Sequence, residues 1–173
     1  MLYIGAHRYV ITGGMFALKI PRIRITKFLK LVALDIKYRK RHWCTWFWFI
    51  EIVFGGLREN FREAQCYFNT RHHLLTRLYL PLLIVNIYRK EAGVGDFNFQ
   101  GEELYSQVFK SGDCEFREAL RPCSHTFDHT NNFAYSKNRV RILDYGEEGF
   151  ENLLTKHGDK VERLLLSTVK QHI

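Results

Sequence analysis

Acidic residues are nearly missing from the first quarter of the chain. Residues 1–42 hold ten of the 26 Lys and Arg but only Asp35 of the 18 Asp and Glu, so they carry +9 while residues 43–173 carry −1. Such a one-sided balance suits phosphate groups, nucleic acid or an acidic protein surface, and it says nothing about fold. Long apolar runs are missing too. The most apolar segment, Trp43 to Phe54, is shorter than the roughly 20 residues a membrane span needs, and Glu51 interrupts it. It is expected to be core or a buried partner surface, with no membrane among the partners. The only prolines are Pro21, Pro81 and Pro122, and no Pro-rich or Ser-rich linker divides the chain. The four cysteines, Cys44, Cys66, Cys114 and Cys123, lie far apart, which excludes a disulfide scaffold. With no charged-then-apolar leader pattern at the start, the expected setting is reducing and cytoplasmic.

What is present is a core-forming composition. At 173 residues and 46% hydrophobic, the chain buries a core without metals or disulfides. Residues 8–20, RYVITGGMFALKI, place Gly13-Gly14 between two β-rich runs, which predicts an antiparallel hairpin ended by Pro21. Leu57, Phe61, Ala64 and Phe68 recur at helical spacing, with Arg58, Glu59 and Arg62 opposite. Residues 78–88, LYLPLLIVNIY, predict a buried strand or strand pair, with Pro81 at a strand start or edge. The glycines of residues 91–101 predict a loop or hinge, and residues 102–121 a helix of poor periodicity. Alternation on both sides of Ser136-Lys-Asn-Arg139 predicts a second hairpin leading to Asp144-Tyr-Gly146. The tail from Glu147 suits one or two helices, broken near Gly158.

Several residues point to chemistry. Asp144 at a strand end, one hairpin after Asn131 and Asn132, offers the hard oxygen ligands that suit magnesium bound with phosphates. Lys19 lies among apolar neighbours in a predicted strand, so its ammonium needs an anionic partner, either a carboxylate such as Glu63 or a phosphate. Cys114, Cys123, His125 and His129 form a competing zinc set without a tight C-x-x-C turn. Cys123 with His125 forms a weaker thiol set.

Together, Phe16-Ala-Leu-Lys19, Asn60-Phe-Arg-Glu63 and Asp144-Tyr-Gly146 resemble the third-strand lysine, helix-C glutamate and D-F-G elements of the protein-kinase-like fold. Phe127-Asp-His-Thr-Asn-Asn132 resembles its catalytic loop. The resemblance implies an α+β chain: an N-terminal antiparallel sheet lobe with helix C over residues 1–90, and a truncated, mainly helical lobe over 91–173. The catalytic-loop-like hairpin would be residues 127–146. It further implies ATP and Mg²⁺ as cofactors and residues 84–95 as the adenine-holding connection. Lys19 and Gly5 would meet the nucleotide, Glu63 would hold Lys19, Asn132 and Asp144 would bind metal and nucleotide, and Asp128 would serve the acceptor hydroxyl.

The chain also departs from that pattern. Five positions before Asn132 stands Phe127 rather than an aspartate, so Asp128 is displaced. Gly5 is the one glycine where the phosphate loop wants three. A basic, Trp-rich insertion, residues 22–54, stands between Lys19 and Glu63, and only 27 residues follow Gly146. Two outcomes follow: an ATP-dependent phosphotransferase acting on a protein or small-molecule hydroxyl, or an inactive pseudokinase that works by binding. For the second, residues 22–48 supply the contact surface. Their lysines and arginines beside Trp43, Trp46 and Trp48 suit an acidic protein surface or nucleic acid, with Leu29 to Ile36 making a partly buried amphipathic helix. A compact chain of this style fits a viral antagonist working in host cytoplasm.

Overall fold

Gly14 and Met15 form the two-residue turn of the first hairpin, with Gly14 at φ +54°, a backbone state that glycine adopts without cost. The computed structural model describes residues 1–5, 7–38, 45–82, 84–94, 106–108, 110 and 112–171, apart from the side chains of 35, 45–48 and 169–171. Strand β2 (Arg8–Gly13) pairs antiparallel with β3 (Phe16–Pro21), and β1 (Leu2–Ile4) pairs with the other edge of β2. Two further strands, β4 (Leu78–Leu82) and β5 (Val85–Arg89), complete a five-stranded antiparallel sheet of order β1-β2-β3-β5-β4. Its register sets Lys19 opposite Val10 on one side and Asn86 on the other. The chain is therefore α+β, with an antiparallel sheet and helices.

Two helices lie between β3 and β4: α1 (Ile25–Lys37) and the long α2 (Thr45–Thr70). The latter packs on the sheet through Ile52, Val53, Asn60, Glu63 and Cys66, all buried. Gly56 lets it approach so closely that a Cβ there would stand 2.3 Å from the His7 carbonyl oxygen. The expected helix is thus present, but its apolar stripe is not the buried one. Phe61 and Phe68 are 58% and 47% exposed, because the inward face carries Asn60 and Glu63 for a polar network under the sheet.

The 78–88 run is a strand pair, as expected, but not a buried one. Strand β4 is the sheet's outer edge, so Tyr79, Leu80, Leu82 and Ile84 face solvent while Leu78 is buried. Pro81, which has no N–H to give, sits on that edge strand. Likewise α1 buries little: Phe28 and Val32 are half-buried, and Phe28 meets Phe49 of α2 edge-on at 4.8 Å. Its other apolar side chains are exposed, since only one narrow flank reaches α2.

Most of the expected hinge, residues 95–101, lies outside the described residues, as do 102–105, 109 and 111 of the expected 102–121 helix. The latter's end is α3 (Cys114–Leu120), capped by Asp113, whose carboxylate accepts from the Phe116 N–H at 3.0 Å. Three short helical turns, Arg121–Cys123, Ser124–Phe127 and Thr130–Asn132, then lead to the second hairpin, β6 (Phe133–Ser136) and β7 (Arg139–Ile142). Its turn residues Lys137 and Asn138 both have positive φ, as a tight two-residue turn of matching twist requires. The final helix α4 (Phe150–Gln171) kinks at His157, one residue from the expected break. Gly158 lies against the His72 ring there, which an added Cβ would displace.

One hydrophobic core joins Cys66 of α2, Leu74, Leu75, Leu78 and Tyr88 to Phe127, Phe133, Ile142, Tyr145, Phe150 and Leu165. It draws on residues from both predicted lobes. Among the described residues no helix is long and apolar enough to cross a membrane.

Candidate functional site

Three residues far apart in sequence converge under the sheet. Lys19, pointing from β3, donates from Nζ to Glu63 Oε1 on α2 and to the Leu143 carbonyl, both at 2.5 Å. Asp144 follows directly, one residue past that carbonyl. Binding them together is Arg8 of β2, whose guanidinium lies 3.0 Å from Glu59 Oε2, 2.8 Å from Glu63 Oε2 and 2.5 Å from Asp144 Oδ1. His7 Nδ1 meets Glu59 Oε1 at 2.5 Å. Three carboxylates thus surround two obligate cations, and the cluster's charge is nearly balanced within itself.

Its interior is a continuous polar network. The Tyr88 hydroxyl donates to Glu63 Oε2, and Asn86 Nδ2 donates to that hydroxyl at 3.0 Å and to the Asn60 carbonyl at 2.8 Å. Asn60 Nδ2 in turn donates to the Lys19 carbonyl at 3.3 Å. Lys19 stands 4.7 Å from the centre of the Tyr88 ring, a favourable place for a cation. Glu63 has no exposure at all, yet its oxygens meet Lys19, Arg8 and Tyr88, as a buried charge requires.

The environment fixes the protonation states. Burial disfavours the charged form of Arg8, but Asp144, Glu63 and Glu59 outweigh it and hold its pKa well above the usual value. Burial likewise works against ionised Asp144, and Arg8 and Lys19 overcome it, keeping that carboxyl well below the usual carboxylate range. The Asp144 side chain is still 41% exposed, so part of it looks outward. Burial first, then the neighbouring Glu63 charge, push the Tyr88 and Tyr145 phenols well above the ordinary value.

The other expected residues are placed around this cluster rather than in it. Asn132 donates from Nδ2 to the Thr126 carbonyl at 3.0 Å, and its own carbonyl accepts from the Leu143 N–H at 2.7 Å. It thereby pins the loop to the residue that accepts from Lys19. Asp128 ends the Ser124–Phe127 helical turn, where its N–H donates to Ser124 and its side chain is exposed. Gly5 is exposed and closes a turn, donating to the Arg8 carbonyl at 2.9 Å and accepting from Arg22 at 2.8 Å. Gly146 lies where α2 passes, and a Cβ there would stand 2.9 Å from the Glu59 carbonyl oxygen.

The zinc set does not gather. Cys114 is exposed, whereas the Cys123 thiol is buried between the Ala119 and Glu148 carbonyls, and burial pushes its pKa up to about 12. A thiol so far from ionising is a poor nucleophile. Among the described residues no three of His, Cys, Asp and Glu form a metal-holding group. A pocket of about 260 Å³ lies on the outer face of α2, lined by Ile50, Phe54, Leu57, Arg58 and Phe61 and apart from Lys19.

Arg8, Glu59, Asn60, Asn86 and Tyr88 belong to the site without having been expected there. For Asn86 and Tyr88 a signal existed, since two polar-capable side chains alternate within an apolar strand. Arg8 gave none, because one more arginine in a basic segment does not stand out. No protein family, no curated protein and no solved structure matches the chain.

Proposed function

We propose that this chain is an inactive kinase-like protein in which the nucleotide site has become a structural ion cluster, and that it acts by binding. The observation that carries the reading is Arg8. A guanidinium held between Glu59, Glu63 and Asp144 supplies the positive charge that a metal–nucleotide complex would otherwise bring. Oδ1 of Asp144 is already engaged, and Lys19 is committed to Glu63 and Leu143. The displaced Asp128 and the single glycine of the phosphate loop point the same way. The activity then rests on the surface, where the basic N-terminal region is the strongest feature.

A second reading, an ATP- and Mg²⁺-dependent phosphotransferase, is favoured by one observation: ionised Asp144 is partly open to solvent beside Lys19. In that reading Asn132 and Asp144 hold the metal, Lys19 and Gly5 face the phosphates, and Asp128 receives the acceptor's proton. Bound magnesium would neutralise charge on the transferring phosphoryl group.

Calorimetric titration with a non-hydrolysable ATP analogue, with and without magnesium, separates the two. The expected result is no magnesium-dependent heat in the wild-type protein. Magnesium-dependent binding that disappears in Lys19→Ala would overturn the inactive reading, and phosphotransfer lost in Asp128→Asn would then establish the enzyme.

A further inference from the structure

From the exposed face of α1 we infer that this helix lies on the surface of an anionic phospholipid membrane. The inference goes beyond the reading above and holds whether or not nucleotide binds, since α1 contributes nothing to the Arg8 cluster. Ile25, Leu29 and Ile36 are 52%, 58% and 74% exposed. At about 100° per residue they fall within about 40° of one another, so they form an open apolar ridge, while exposed Leu31 and Leu34 lie on the opposite side among the lysines. Phe28 and Val32 continue that face toward α2 and are half-buried there.

Lys30 and Lys37 follow beside the ridge, and Lys27 lies beyond them on the far side. All three are exposed. Long stems let such lysines keep their ammonium groups at headgroup level while the ridge enters the acyl boundary. Charge complementarity names the occupant: eight Lys and Arg crowd residues 22–41, and Asp35 is the only acidic residue before Glu51. Glu51 is itself paired with Arg58 at 2.5 Å.

The expectation of no membrane partner rested on the length a span requires, and a helix lying flat has no such requirement. Nucleic acid would use the lysines but leave Ile25, Leu29 and Ile36 in water. A protein with an acid-rimmed groove would receive the same ridge, and the vesicle test below separates the two.

The test is co-sedimentation of the full chain with phosphatidylcholine vesicles containing or lacking phosphatidylserine, across a salt series. The protein is expected to sediment with the phosphatidylserine vesicles alone, and less so as salt rises. Ile36→Glu with Leu29→Glu should lower partitioning by more than about tenfold. Each of Lys27→Gln and Lys30→Gln should lower it about fivefold. These side chains are exposed, and far-ultraviolet dichroism of each variant checks that the fold is kept. No sedimentation, or sedimentation unchanged in the Ile36 and Leu29 variant, overturns the proposal. So does binding of a single-stranded oligonucleotide in place of vesicles.

Discussion

Arg8 and Asp144, 136 residues apart in the chain, meet through Nη2 and Oδ1 at 2.5 Å. The contact ties the first hairpin to the second residue past the other one, across the inward face of α2. It also makes the cluster a stability element whose removal has a calculable sign.

Replacing Arg8 with methionine keeps most of the apolar stem but leaves Glu63 and Glu59 short of a cation. Breaking a buried pair by deleting one partner costs about 3–5 kcal/mol. A fall of that size in urea-unfolding free energy is expected, and an unchanged midpoint would show that the cluster contributes nothing.

Acid should destabilise the protein partly through Asp144. Its pKa is depressed in the folded state, so its contribution is complete above the unfolded value of about 3.9 and is lost as pH falls through the lower folded value. In Asp144→Asn the thermal midpoint should therefore decline less steeply below about pH 5 than in the wild type. Parallel declines in the two proteins would remove Asp144 from this role.

Gly146→Ala tests the close approach rather than backbone freedom, because the position has no left-handed φ among the glycines that do. The added Cβ would press on the Glu59 carbonyl at 2.9 Å. Overpacking of this kind costs about 1–3 kcal/mol. The variant should melt lower and lose part of the Asp144 effect on acid stability, as differential scanning calorimetry at two pH values would show.

Tyr88 and Tyr145 should resist ionisation, since burial and Glu63 oppose the phenolate. Absorbance titration is expected to show a late phase that accompanies unfolding. Tyr88→Phe should shrink the late phase and cost about 1–3 kcal/mol by removing the hydroxyl from the Glu63 and Asn86 network. A single phase near the ordinary tyrosine value would contradict the buried placement.

Local signals made much of the fold legible. Gly14 and the Lys137-Asn138 pair marked both hairpins, and Pro81 marked the edge strand. Glu63 was expected as the anionic partner of Lys19 from the apolar setting of that lysine, and the two meet at 2.5 Å. What stayed hidden was which way α2 faces. Helical periodicity identifies a stripe of Phe61 and Phe68 but assumes that the apolar side goes inward, and here buried Glu63 and Asn60 reverse it. Such a reversal needs partners from β2, β3, β5 and Asp144, and pairings across 25 to 136 residues leave no trace in a local window.

The segment after α2 pairs with β7: Ile142 donates to the Leu74 carbonyl at 2.7 Å, and Thr76 donates to the Ile142 carbonyl at 3.1 Å. A ribosome adding about 5–20 residues each second needs several seconds to deliver Ile142 after Thr76 has been made. Throughout that interval α2 has Lys19 but neither Leu143 nor Asp144, and the Leu74 carbonyl and the Thr76 N–H lack their Ile142 partner. Nascent chains stalled in this window should be open to proteases and chaperones, and the order of synthesis, rather than the strength of the finished sheet, would then set how much protein a cell recovers.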